Sequence, residues 1–298
     1  MQRSIKDYIL ITLKGMAMGA SDVVPGVSGG TIAFITGIYD ELITSIKSIG
    51  AHSVGYLLKG KITEFWKAIN GNFLTALVVG IAISVFSLAK LITYLLINEP
   101  VLVWSFFFGL VLASSWFVSR DVKAWNYKTL SSFFVGAVIA FFITVATPAE
   151  TPTALWFVFL CGAVAICAMI LPGISGSFIL VLLGKYFYVM EALDTLNFVV
   201  LFVFGTGALV GLMTFSRLLS YALKHFRNVT LALLSGFMLG SLNKVWPWKE
   251  TDTLLRNGQE FTLEHNIAPN EQFVEGVALM IVGFALVYVI EKIFAKKA

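Results

Sequence analysis

The sequence predicts an all-α polytopic membrane protein, an inverted repeat of two halves, each a re-entrant helical hairpin followed by three transmembrane helices. Three observations carry this. Of 298 residues, 58% are apolar and only 13% are charged, which excludes an ordinary soluble domain. The apolar stretches are long and lack strand-like alternation, and lipid offers backbone amides no hydrogen-bond partner, so helices rather than a barrel are expected. Residues 24–39 (VPGVSGGTIAFITGIY) also align without gaps on 171–186 (LPGISGSFILVLLGKY), with seven identities in sixteen.

The first half, residues 1–150, opens with an apolar region at 4–45 that VVPGVSGGT breaks in the middle, because Pro and Gly cannot continue a helix. It reads as two short helices. An arm such as Ile5–Ala20 reaches only about 24 Å at roughly 1.5 Å per residue, short of about 30 Å of hydrocarbon, so a hairpin returning to its own side is expected. Arg3 and Lys6 before an apolar run resemble a leader peptide, but Lys14 interrupts that run, and no cleavage is expected. In residues 45–70, Ile62, Phe65, Trp66 and Ile69 recur at helical spacing opposite Lys61, Glu64 and Lys67. That pattern describes a helix on the inner membrane surface, a simple anchor or a lipid-recruiting element. Spans are expected at 73–96, 101–118 and 130–147.

The second half, residues 151–298, repeats the plan, with a hairpin at 153–193 broken by LPGISGSF and spans at 197–223, 229–247 and 273–294. Lys90-Leu-Ile-Thr-Tyr-Leu-Leu96 matches Arg217-Leu-Leu-Ser-Tyr-Ala-Leu223, and at the same offset Gly109-Leu-Val-Leu-Ala-Ser114 matches Gly236-Phe-Met-Leu-Gly-Ser241. A weaker echo pairs Gly136 with Gly276. Cys161 and Cys167 fall on different faces of one helix, which argues against a disulfide or a metal pair.

Positive residues gather at the N-terminus, at Lys47, Lys59, Lys61 and Lys67, at Arg120, Lys123 and Lys128, at Lys224 and Arg227, and at the C-terminus. These segments, both termini included, are expected in the cytoplasm of an inner membrane. Segment 248–271, with Glu250, Asp252, Glu260, Glu264 and Glu271, is expected outside. Three spans after each hairpin turn the second half upside down, and inverted repeats with broken helices are the architecture of secondary transporters.

Broken helices inside a membrane expose N–H groups, and the tips Ser28-Gly29-Gly30-Thr31 and Ser175-Gly176-Ser177 each open a new half-helix. An anion is the natural partner for such ends, although glycines can equally serve close packing and serines can cap their own helices. Lys90 and Arg217 lie deep in matched spans, where a cation disfavours insertion by about 2.5 to 3.5 kcal/mol and so faces a cavity, a partner or the interface. The planar fork of Arg217 suits a phosphate, with Lys90 as a point charge. Asp22 precedes the first tip, and Met169 stands at its equivalent in the second. It could carry a coupling proton or sodium ion, or cap the tip. Tyr39 and Tyr186 read as interfacial aromatics, and Asp40-Glu41 as a cytoplasmic surface pair.

The string GASDVVPGVSGGTIAFITGIYDEL, followed by a second LPGISGS, resembles a bacterial and archaeal family of polyprenyl-phosphate transporters called PopT, and the likeness spans nearly the whole chain. The resemblance implies a flippase that returns undecaprenyl phosphate, the lipid carrier of cell-wall precursors, to the inner leaflet. The phosphate would rest among Ser28 to Thr31, Ser175 to Ser177, Lys90 and Arg217, and the site would be reached from one side at a time as one repeat moves against the other. No cofactor, metal or nucleic acid is expected. A small-anion or cation transporter is the rival reading. A lipid-phosphate phosphatase lacks its parts, because His52, His225 and His265 fall in expected loops on differing sides and no histidine nucleophile can converge on Arg217.

Overall fold

The computed structural model describes residues 3–295 apart from positions 25, 257 and 258, with side chains described outside 252–263 and 293–295. The first half holds α1 (Ile5–Asp22), α2 (Gly29–Ile35), α3 (Tyr39–Lys47), α4 (Ala51–Leu58), α5 (Ile62–Ala68), α6 (Gly71–Asn98), α7 (Pro100–Arg120) and α8 (Tyr127–Val145). The second holds α9 (Leu155–Ile170), α10 (Gly176–Leu182), α11 (Tyr186–Asp194), α12 (Phe198–His225), α13 (Arg227–Ser241), the strands β1 (Lys249–Arg256) and β2 (Gln259–Asn266), and α14 (Phe273–Ala295). By length and composition five helices, α6, α7, α8, α12 and α14, can cross a membrane, and the bent pair α10–α11 raises this to six. The chain is a multi-pass membrane protein.

Local chemistry sets the boundaries. Ser4 and Asp7 cap each other's backbone at the start of α1, Asn126 accepts from Lys128 and Thr129 at the start of α8, and Pro100 opens α7, where its missing N–H costs nothing. The element lengths recur between halves. Helices α2 and α10 have seven residues each, α3 and α11 nine, and α6 and α12 twenty-eight.

Packing recurs too. Gly15 of α1 faces the Leu77 carbonyl of α6, and Gly80 of α6 faces that of Thr12; likewise Gly162 of α9 faces Phe204 of α12, and Gly207 faces Phe159. Between the halves, Gly109 of α7 faces Met280 of α14 and Gly283 faces Phe106, while Gly136 of α8 faces Leu233 of α13 and Gly236 faces Phe133. Only a residue without Cβ lets two helix backbones approach so closely. Gly283 thus sits at the α7–α14 crossing as Gly136 does at the α8–α13 crossing, whereas Gly276, the expected match of Gly136, meets the side chains of Ser105 and Trp248. The core lies where α13 meets α7 and α8, with Val111, Leu231, Leu234 and Met238 fully buried. Ser115 and Ser235 exchange hydroxyl-to-carbonyl hydrogen bonds of 2.9 and 2.7 Å across it.

Four further expectations need correction. Each broken region forms three helices rather than two, because Gly37 and Gly184 take left-handed conformations (φ 70° and 61°) and turn the second arm again; α10 and α11 meet at 108°. The expected surface helix is two, α4 and α5, parted at Gly60, with Ile62 and Trp66 exposed but Ile69 buried. The expected span 229–247 is helical only to Ser241, ahead of Pro247. Segment 248–271 contains the antiparallel hairpin β1–β2, so the described residues are all-α apart from one hairpin.

Candidate functional site

Each break turns through a glycine in the left-handed region, Gly26 at φ 83° and Gly173 at φ 88°, which side-chain-bearing residues rarely adopt. The two breaks then meet. Ser28 donates to the Met169 carbonyl at 2.8 Å, the Gly173 N–H donates to Thr31 Oγ1 at 3.0 Å, and the buried Tyr39 hydroxyl donates to the Ile170 carbonyl at 3.1 Å. Tyr39 is thus a bond between the two breaks rather than an interfacial aromatic. Ser28 also accepts from Gly30 at 3.0 Å, and Asp22 Oδ1 accepts from the Gly29 N–H at 2.6 Å. Ser28, Gly29, Gly30 and Thr31 are all buried, and the Ser28 hydroxyl and the amides of Gly29, Gly30 and Thr31 all donate within the protein.

The second break is the open one. Ser175 and Ser177 share a 2.8 Å hydrogen bond, Gly176 begins α10, and Ser177 lines a cavity of about 1030 Å³. The cavity lies where α11 and α6 stand apart, between Val85, Ala89 and Thr93 of α6 and Tyr186 and Met190 of α11. Asp22 reaches its wall, as do Lys244, Lys249 and Glu264. Beside the first break the helices are packed together. α3 lies against α12, Lys47 donates to Ser220 at 3.1 Å, and Arg217 donates to the Ile49 carbonyl at 3.1 Å.

The tips therefore come together as the sequence implies, but Lys90 and Arg217 do not join them. Lys90 is exposed on α6 beside the cavity-lining Ala89, and Arg217 is exposed at the junction of α12 with the segment after α3. Among the described residues no hydrogen bond links either to a tip. The histidines lie in regular elements rather than loops: His52 in α4, His225 closing α12, and His265 in β2 on the cavity wall.

A cation pair went unread in the sequence. Lys244 and Lys249 each place Nζ 3.0 Å from Glu264 Oε2. The Lys244 stem packs on Gly26 of the first break, and its ammonium sits 4.8 Å above the Phe178 ring of the second. The Lys249 ammonium lies 4.0 Å above the Trp104 ring. Burial pulls Lys249 down to about 8, the Glu264 carboxylate opposing that shift. Burial pushes Glu264 up, but the two ammonium groups outweigh it and hold the carboxyl below its ordinary range. The signal was present, since Lys244 falls inside the apolar run 229–247, where a cation demands a partner.

The sequence that builds this arrangement has relatives. Residues 18–262 match the family described as undecaprenyl phosphate translocase-like. The chain belongs to that family. A polyprenyl-phosphate transporter of Vibrio cholerae serotype O1 is 45% identical over 98% of both chains. A polyprenyl-phosphate transporter of Staphylococcus aureus is 35% identical over 82% of this chain and 88% of its own. No solved structure matches. The undecaprenyl phosphate translocase-like family is one of transporters and not of enzymes.

Proposed function

We propose that the chain is a flippase that carries undecaprenyl phosphate, or a related polyprenyl phosphate, between the leaflets of the inner membrane by alternating access. The observation that carries this reading is the cavity beside the second break. Its floor offers Ser177 and two lysines to a phosphate, while Val85, Ala89, Val181, Leu182 and Met190 form an apolar wall that suits an isoprenoid chain. Moving a bare phosphate through hydrocarbon costs many kcal/mol by Born reasoning, so a polar path suffices and no covalent step is needed.

The matched helices support an inverted repeat of residues 1–150 and 151–298 with both termini in the cytoplasm, as the positive residues imply. In that frame the cavity faces outward. Its counterpart, between α3 and α12, is closed. Alternation then consists of α11 packing onto α6 while α3 leaves α12, which carries the site from one face to the other. Lys90 flanks the outer opening and Arg217 the inner one, so each meets the phosphate at its own end of the route, with Ser28 to Thr31 and Ser175 to Ser177 at the centre. Asp22, the lone carboxylate at the breaks, is the candidate carrier of a coupling proton or sodium ion.

The test uses proteoliposomes loaded with a labelled polyprenyl phosphate. Exchange between leaflets without release of inorganic phosphate is the expected result. Exchange no faster than in protein-free vesicles, together with uptake of a small anion, would instead establish the rival anion-transporter reading.

A further inference from the structure

Glu264 belongs to β2, outside the helical framework, yet its carboxylate lines the cavity between two ammonium groups. One oxygen accepts from both lysines at 3.0 Å. A phosphate monoester offers the same thing, an anionic oxygen, with two more acceptors for the remaining N–H donors. Lys249 is held on several sides. Its side chain is 9% exposed, it also donates to the Lys244 carbonyl at 2.8 Å, and the Trp104 face lies beneath it. Lys244 touches both breaks at once, through Gly26 and Phe178. A ligand that engages Lys244 therefore reports directly to the two segments whose rearrangement would move it.

We infer that Lys244 and Lys249 are the capture site for the phosphate monoester head, and that Glu264 is a resident carboxylate occupying the phosphate's position until the lipid displaces it. This rests on the transport reading above and deepens it. When Glu264 leaves, the two lysines face the cavity with the amide of Asn266, which Asn243 otherwise holds at 2.9 Å, and the β1–β2 hairpin loses its ionic attachment to the end of α13. Head-group arrival and release of the hairpin are one event. With Glu264 in place both ammonium groups share one carboxylate, so a small anion must compete with it.

The test is equilibrium binding of radiolabelled farnesyl monophosphate to the full chain in detergent, read as label retained by the protein. Lys249→Gln and Lys244→Gln should each weaken binding on the order of tenfold, the loss of one charged hydrogen bond. Glu264→Gln should tighten it several-fold, because a competitor has been removed. Farnesol, which has no phosphate, should distinguish none of the variants. Weaker binding in Glu264→Gln would overturn the assignment, since a carboxylate that merely positions the lysines gives that result. Unchanged binding in both lysine variants would also overturn it, while leaving transport through the cavity intact. Inorganic phosphate binding as tightly as farnesyl monophosphate would overturn the lipid assignment, and no binding by the unaltered chain would sink the transport reading with it.

Discussion

The Gly173 N–H of the second break donates to the Thr31 hydroxyl of the first at 3.0 Å, so each break supplies what the other's interrupted helix lacks. Thr31→Val preserves the shape and removes the acceptor. A buried amide left without a partner costs about 1 to 3 kcal/mol. The variant should therefore unfold at a lower temperature in detergent than the parent protein, and Thr31→Ser, which keeps the hydroxyl, should recover most of the loss.

Asp22 caps the Gly29 amide at 2.6 Å, and Asn keeps an oxygen for that role. Asp22→Asn should consequently remain folded, whereas Asp22→Ala should lose about 1 kcal/mol of capping. If the carboxylate carries the coupling ion, lipid exchange by Asp22→Asn becomes indifferent to an imposed proton or sodium gradient. Exchange that still follows the gradient assigns coupling elsewhere.

Binding at the lysine pair should depend on pH above neutrality. Lys249 titrates at about 8 because burial disfavours its charged form, so affinity for farnesyl monophosphate should fall as pH rises through that value. The groups around it are Glu264, which raises its pKa, and Lys244, which lowers it, with Asp22 and His265 on the same cavity wall. Glu264→Gln removes the favourable partner and should move the inflection to lower pH. Lys249→Gln should abolish it.

Two surface ion pairs tether α3 on the closed side, Arg3 to Glu41 at 2.6 Å and Arg227 to Asp40 at 3.0 Å. Exposed pairs contribute about 0 to 1 kcal/mol each, so Arg3→Gln with Arg227→Gln should shift the balance towards opening there by only a few-fold. With Cys161 and Cys167 replaced by Ser, the measurement is the labelling rate of Ser220→Cys, the position on α12 that Lys47 of α3 touches at 3.1 Å.

Much of this was legible in the chain. Pro25, Gly26, Pro172 and Gly173 announced both breaks because nothing else in a long apolar run stops a helix, and the duplicated motif announced that they correspond. The meeting of the breaks, however, depends on Tyr39 and Thr31 reaching the backbone at Ile170 and Gly173, contacts that no local pattern encodes. Lys244 lay hidden within an apolar run, and Glu264 looked like one more acidic loop residue. Arg217 was conspicuous for its depth, yet its hydrogen bond to Ile49 comes from the connection between α3 and α4, which has no equivalent in the other half.

The helix pairs α7–α14 and α8–α13 each join one half of the chain to the other through reciprocal glycine contacts. A single half would thus present α7 and α8 with no surface shaped to receive them. Co-expressed as two separate polypeptides, 1–150 and 151–298 should reassemble into a working whole, and either fragment alone should be degraded.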